Sequence, residues 1–432
     1  MNTTVALPVS LGVLAITMIA VLVRAYGPRH GLWLASLGSI PLREALSFDI
    51  VGTVSVYPTD FLYLILAVDL LYSRGYSEVW RNSTYLKLGL ALILLSLPGF
   101  YTATKVFWGI TSLYRDVLQL LVFFITFMLI RDASDARRAL LALVIGLVPA
   151  LVYGIFQSTL PFDAALPDWA NRMIAYDADG RKNIRIFSTF DHPIRFSHYL
   201  SVSLAIALGL VPGSKHILKL ALAAIACGIV YCNFQTFSIG GLLGMIAAIG
   251  TLAVLYRGGL ALAAIPIALV LFLIVSPGAL TTKAERVLTG KATTVAARVV
   301  TYQQAVSVLK DHPFLGLGWG GIRTGLEGEY RLTRASTVAF AAENYFLQYG
   351  IALGLPGIGI VVTIFVLFMK QIRRIPRNWP LFAITAAGIT WYLQAQFFPS
   401  VSVTDSFLLW ALLAVSERAS RAETTVPEAA DA

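Results

Sequence analysis

Lipid offers no hydrogen-bond partners, so a chain crosses a bilayer only as helices or as a closed barrel. A helical crossing takes about 20 apolar residues, fewer where the span is short or buried in a bundle. This chain repeats runs near that length from end to end. They fall at about 5–25, 59–73, 86–100, 107–130, 139–160, 194–212, 216–234, 236–256, 259–276, 344–369, 379–398 and 403–417. A weaker run, about 31–48, contains Pro41, Arg43 and Glu44. The expected fold is therefore an all-α polytopic membrane protein with 12 or 13 transmembrane helices. Only 13% of the residues are charged, against roughly 25% in soluble domains, which excludes a soluble core for the bulk of the chain. The first run is long enough to remain as a span rather than act as a cleaved signal.

The formal charge of +10 belongs with cytoplasmic loops, not with nucleic acid. Arg131, Arg137 and Arg138 share one connection, and Lys215 and Lys219 another. Arg257 marks a third, Lys370, Arg373, Arg374 and Arg377 a fourth, and Arg418 and Arg421 follow the last run. Placing all of these inside makes the intervening spans alternate correctly. Arg24 and Arg29 join them only if the weak run 31–48 also crosses, which sets the N-terminus outside; otherwise it is inside.

In either case the two longest connections, about 161–193 and 277–343, lie on the outer face. Connections between bundled helices are usually 2–8 residues, so loops this long point to function. The expected organisation is a transmembrane bundle over 1–276 that includes the loop 161–193. A loop subdomain over 277–343, C-terminal spans over 344–418 and a disordered tail over 419–432 follow. Within the second loop, VAARVVTYQQAVSVLKDHP (295–313) has helical periodicity with Val299, Tyr302, Val306 and Leu309 on one face. Pro313 ends it, and the glycine-rich turn FLGLGWGG follows.

These loops carry the chemistry. RKNIRIFSTFDHPIRFSHYL (181–200) holds Arg181, Lys182, Arg185, Asp191, His192, Arg195 and His198. The second loop holds Lys283, Arg286, Lys291, Arg298, Lys310, Arg323, Arg331 and Arg334 against Glu285, Asp311, Glu327 and Glu329. Arginine suits an anionic headgroup because its planar fork grips two phosphate oxygens together. At the mouth of the next span stand Glu343, Asn344, Tyr345 and Gln348. A carboxylate there is tolerable if it faces a wet, cationic cavity. His192, before Pro193, is expected to cap a turn. Asp60 and Asp69 either sit near an interface, pair with arginines elsewhere, or mark a proton or ion path. Cys227 and Cys232 sit on different faces of one apolar run and read as small core residues. No metal-ligand motif or phosphate-binding glycine loop occurs in the outer loops.

Four stretches resemble the O-antigen ligase and polymerase family of bacterial membrane glycosyltransferases, over roughly residues 180–360. They are R185-IFSTFDHP, T236-F-S238-I-G240-G, R298-VVTYQQAVSVLKDHPFLGLGWG and E343-NYFLQYGIALGLPG. The resemblance implies a GT-C-like helical fold with a long helical periplasmic loop. It implies transfer of a glycan from an undecaprenyl diphosphate carrier to an acceptor hydroxyl at the periplasmic face of the inner membrane, with neither metal nor other cofactor. Arg185 and Arg298 are then expected to hold the diphosphate. Glu343 stands where the ligases of the family have His, and either accepts the acceptor proton or pairs with an arginine. Asn344, Tyr345, Gln348, Arg195, His198, Arg323, Thr236 and Ser238 are expected around the substrate. The replaced His favours a polymerase, extending one lipid-linked glycan with another. A ligase acting on lipid A core, a protein oligosaccharyltransferase and, more distantly, a transporter are the alternatives.

Overall fold

The computed structural model describes residues 3–46, 48–51, 54–72, 76–102, 105–160, 174–176, 182–256, 293–331, 342, 344–396 and 403–421. Helices α1 (Thr3–Tyr26), α2 (Pro28–Gly38) and α3 (Pro58–Tyr72) open the bundle. A short hairpin, β1 (Phe48–Val51) with β2 (Val54–Val56), stands between α2 and α3. Then come α4 (Tyr76–Asn82), α5 (Thr84–Ser96), α6 (Gly99–Thr102) and α7 (Val106–Leu129). The next apolar run divides into α8 (Ala133–Ile145) and α9 (Val148–Thr159), with Gly146 ending the first helix and Pro149 opening the second. A second hairpin, β3 (Ile174–Tyr176) with β4 (Lys182–Ile184), precedes α10 (Pro193–Leu210), α11 (His216–Gln235) and α12 (Ile239–Leu255). Helices α13 (Thr293–Asp311), α14 (Ile322–Glu327), α15 (Tyr345–Ile372), α16 (Leu381–Gln394) and α17 (Val403–Arg421) complete the described chain.

The helices are apolar on the side that faces away from the protein. On α3, Phe61, Leu64, Ile65, Val68 and Leu71 recur at helical spacing, and each is at least 42% exposed. The opposite face buries Asp60, Tyr63, Leu66, Ala67 and Leu70. That reversal of the soluble pattern marks a lipid-facing surface. Among the described residues, four helical segments are long and apolar enough to cross a membrane: Val106–Leu129, Ala133–Thr159, His216–Gln235 and Tyr345–Ile372. The chain is an all-α polytopic membrane protein in its bundle, with strands, among the described residues, confined to the two hairpins. The run 259–276 and the tail 422–432 lie outside the described residues.

Helix ends sort the polar groups into two levels. At one end, Asp135 takes ion pairs from Arg131 and Arg138, and Arg418 donates to the Ile130 carbonyl. Arg29 pairs with Asp69 near the same end. Buried Glu417 accepts from the Ser83 hydroxyl and the Thr84 amide at the start of α5. At the other end stand Arg43 and the segment 185–195. Helix α2 packs along α1 and α8, and runs from Arg29 at the basic end back towards Arg43. The weak run 31–48 therefore carries the chain from the basic end to the Arg43 end on an 11-residue helix and the turn Ile40–Leu42, short of a full-length apolar span.

Helix α13 forms where its periodicity places it, but its buried face differs from the expected one. Thr301, Gln304, Ala305 and Val308 are buried, whereas Val299 and Val306 are about half exposed. The cause is polar. The Gln304 amide donates to the carbonyls of Tyr330 (2.8 Å) and Leu326 (3.4 Å), which turns that face onto α14.

After α13, the turn of residues 313–318 docks into a break in α15. Leu317 N donates to Ile351 O (2.7 Å), Gly318 N to Ala352 O (3.0 Å) and Leu355 N to Pro313 O (2.7 Å). Those carbonyls and that amide are available because Gly354, at φ +69°, interrupts the helix just before Pro356. A methyl group on Gly354 would come within 2.5 Å of the Pro313 carbonyl oxygen. Gly354→Ala is therefore expected to cost on the order of 1–3 kcal/mol, from the left-handed backbone and the contact together. It should show as a lower thermal midpoint in detergent, with faster proteolysis in 313–318. An unchanged midpoint and cleavage pattern would refute the interlock.

Candidate active site

The segment Arg185–His192 is a strap fastened at nearly every residue. The Arg185 Nε donates to the Thr236 carbonyl (2.9 Å), and the Ile186 amide donates to the Gln235 carbonyl (3.1 Å). Gln157 Oε1 accepts from the amides of Phe187 and Ser188. The hydroxyls of Ser188 and Thr189 donate to the carbonyls of Ala150 and Pro41. Phe190 packs against Phe196 and Tyr199. His192 caps α10, its Nδ1 accepting from the Ile194 amide. The strap thus ties α9, α10 and α11 and fixes Arg185 beside the start of α12. Arg185 Nη2 is buried and has no hydrogen-bond partner among the described residues. Burial pushes the guanidinium down to about 10, so it stays cationic at neutral pH.

Thr236 and Ser238 shape the neighbouring helix end. The Thr236 hydroxyl donates to the Asn233 carbonyl, and Ser238 caps α12 by accepting from the Gly241 amide (3.2 Å). A second helix N-terminus lies close by. Asn344 caps α15, its Oδ1 accepting from the Leu347 amide (3.1 Å) while its Nδ2 donates to Gln396. Gln394, two residues before Gln396, donates to the Gly240 carbonyl (3.1 Å) and so links the two helix starts. The Tyr302 hydroxyl donates to the Gln396 carbonyl (3.2 Å). Arg298 lies one turn before Tyr302 on α13. Two helix N-termini and two guanidinium-bearing segments therefore converge at one end of the bundle. Helix N-termini carry partial positive charge and attract anions.

Gln348 Oε1 accepts from the Ala342 amide (2.8 Å), and Tyr345 is buried against Trp391, with ring centroids 5.0 Å apart. Trp391 also meets the His198 ring at 5.7 Å and donates to the Asp405 carbonyl (3.0 Å). His198 and Asp405 approach to 3.6 Å, both buried. Arg323 stands apart from this group. It pairs with Glu327 (2.7 Å) and lies over the Trp108 ring. Glu343 lies outside the described residues.

A cluster beside His198 was missed in the sequence reading. Arg43 is fully buried, pairs with Asp60 (2.6 Å) and is sandwiched between the rings of Tyr57 and Phe407, each 4.1 Å away. Tyr114 donates to the other oxygen of Asp60 (2.7 Å). Glu44 accepts from the Asp191 amide (2.7 Å) and the Thr404 hydroxyl (3.0 Å), with Arg195 at 3.7 Å. Arg195 also pairs with Asp191. Arg115 lies within electrostatic reach of Arg43, Arg195 and Glu44. The available signal was the charged pairs Arg43-Glu44 and Arg115-Asp116 inside otherwise apolar runs, since ionisable residues at membrane depth are seldom without a role.

Among the described residues, no three His, Cys, Asp or Glu side chains are grouped to hold a metal ion. What the end of the bundle offers instead is fixed cationic and dipolar charge. A family model described as O-antigen ligase matches residues 199–362. The match runs from α10 to the middle of α15, spanning Thr236, Ser238, Arg298 and the start of α15; Arg185, Arg195 and His198 precede it. No curated protein matches the chain.

Proposed function

We propose, from the membership of the O-antigen ligase/polymerase family that this match supports, that the chain moves a glycan from an undecaprenyl diphosphate carrier to an acceptor saccharide hydroxyl. The observation that carries the reading is the placement of Arg185. Its buried Nη2, without a hydrogen-bond partner among the described residues, stands beside the capped start of α12, which is linked by hydrogen bonds to the start of α15 and to the helix bearing Arg298. A diphosphate leaving group gains charge as the glycosidic bond breaks. Guanidinium groups already fixed at that position stabilise it without reorganising. Arg185 and Arg298 hold the diphosphate, and Glu343, at the mouth of α15, accepts the proton of the attacking hydroxyl. No metal is required for this charge neutralisation.

The acceptor is a second lipid-linked glycan, so the enzyme is a polymerase. With a lipid-linked repeat unit as sole substrate, the expected products are carrier-linked chains of two or more repeats. Transfer that occurs only after lipid A core is added would make it a ligase instead. The site end faces the periplasm, because Arg131, Arg138 and Arg418 gather at the other end and cytoplasmic ends are the basic ones. A reporter fused after Arg421 should therefore read cytoplasmic, and one inserted at Gly328 periplasmic. Reversed readings would remove the donor from reach of the site.

A further inference from the structure

The basic end of the bundle contains a cavity of about 340 Å³ that the transfer site does not use. Arg137, Arg377, Asn378 and Trp379 line it. The Arg137 Nη2 is anchored on the Leu210 carbonyl and the Ser214 hydroxyl, so the guanidinium is held in place along the wall. Arg377 is exposed at the rim. The cavity lies at the far end of α10 from Arg195. Gly209, which lines the cavity, is about four turns along α10 from Arg195, which puts the two about 21 Å apart.

An apolar groove of about 280 Å³ adjoins this cavity, lined by Leu208, Ile249, Leu252 and Tyr256 between α10 and α12. Pro212 borders both spaces. Tyr256 on the groove side meets Phe382 on the cavity side, ring centroids 4.7 Å apart. A cationic cup bordering an apolar groove fits an amphipathic anion. The charge calls for a phosphate group, and the groove calls for a hydrocarbon chain beside it. Trp379 at the cup is the aromatic side chain favoured at the membrane–water interface. Basic recesses between helices on the cytoplasmic side suit the headgroups of anionic lipids.

We infer that this paired cavity and groove is a binding site for an anionic phospholipid, its phosphate between Arg137 and Arg377 and one acyl chain along Leu252 and Tyr256. The site is separate from glycan transfer and does not depend on it.

Native mass spectrometry of the full chain in detergent tests this, with phosphatidylglycerol, phosphatidylcholine and inorganic phosphate each supplied alone. Phosphatidylglycerol should be retained well above phosphatidylcholine. Arg377→Ala and Arg137→Ala should each lower its retention by about fivefold, the equivalent of about 1 kcal/mol per basic side chain. Arg377→Ala carries the test if loss of the Arg137 anchor disturbs folding, because Arg377 is exposed. Ile249→Trp, which fills the groove, should lower retention of the lipid and leave inorganic phosphate unaffected. Equal retention of the two lipids would overturn the proposal. So would retention of phosphatidylglycerol unchanged by Arg377→Ala. Binding of inorganic phosphate with phosphatidylglycerol retention indifferent to Ile249→Trp would identify a simple anion site and also overturn it.

Discussion

Arg185→Ala is expected to lower glycan transfer by about 10²–10³, and Arg298→Ala by a similar factor, while both proteins still insert and elute as wild type. Each change removes charge-assisted contacts to the oxygens on which negative charge develops, and one such donor is typically worth that much in rate. For Arg185 the structural cost is small. Its Nε gives up one bond to the Thr236 carbonyl, while Gln157, Ser188 and Thr189 continue to hold the strap. Arg→Lys should rescue poorly at both positions, because an ammonium cannot make the forked contact to phosphate. The measurement is the initial rate of transfer at saturating donor, with thermal midpoints recorded in parallel. Near wild-type rates in both alanine variants would separate these arginines from the chemistry. Lost activity with a collapsed midpoint would assign them to folding.

Glu343→Gln is expected to leave little transfer, a loss of about 10²–10⁴ for removal of a general base. Carrier binding should persist or tighten, because a negative charge beside the diphosphate has gone. The substitution keeps size and hydrogen bonding, and the sequence neighbours remain pinned: Ala342 on Gln348, and Asn344 on Leu347 and Gln396. Glu343→Ala should be equally inactive. If Gln retains substantial activity and only Ala is damaging, the carboxylate orients an arginine and takes no proton. Near wild-type transfer by both would leave Glu343 with no part in the reaction.

The spans were legible in the sequence because lipid enforces long apolar runs, and α7, α10, α11, α12 and α15 fall on them. Caps were legible too: His192 before Pro193 caps α10 as expected, and of the alternatives open for Asp60 and Asp69 the structure shows pairing with arginines. The interlock of 313–318 with the break at Gly354 joins two of the four stretches that carried the family resemblance. Their glycines answer a backbone need that spacing alone does not display. The buried face of α13 differs from the apolar one because apolar periodicity takes no account of a side-chain amide that seeks backbone carbonyls. Here Gln304, reaching two carbonyls, sets the orientation, and valines are left on the surface. The Arg43 cluster went unread because its members come from α3, α7, α10, α17 and the turn after α2. Only the fold brings Arg43 onto Asp60, Arg115 near Arg43 and Arg195, and Arg195 near Asp405.

The most direct measurement of the central claim is release of undecaprenyl diphosphate. The purified chain is incubated in detergent with an undecaprenyl diphosphate-linked glycan, EDTA and no membrane gradient, and both free carrier and extended glycan are quantified. Free carrier should appear in step with extended glycan for the wild type, and be nearly absent for the variant combining Arg185→Ala and Arg298→Ala. No release by the wild type would contradict the account, as would release that proceeds equally in the variant lacking both arginines.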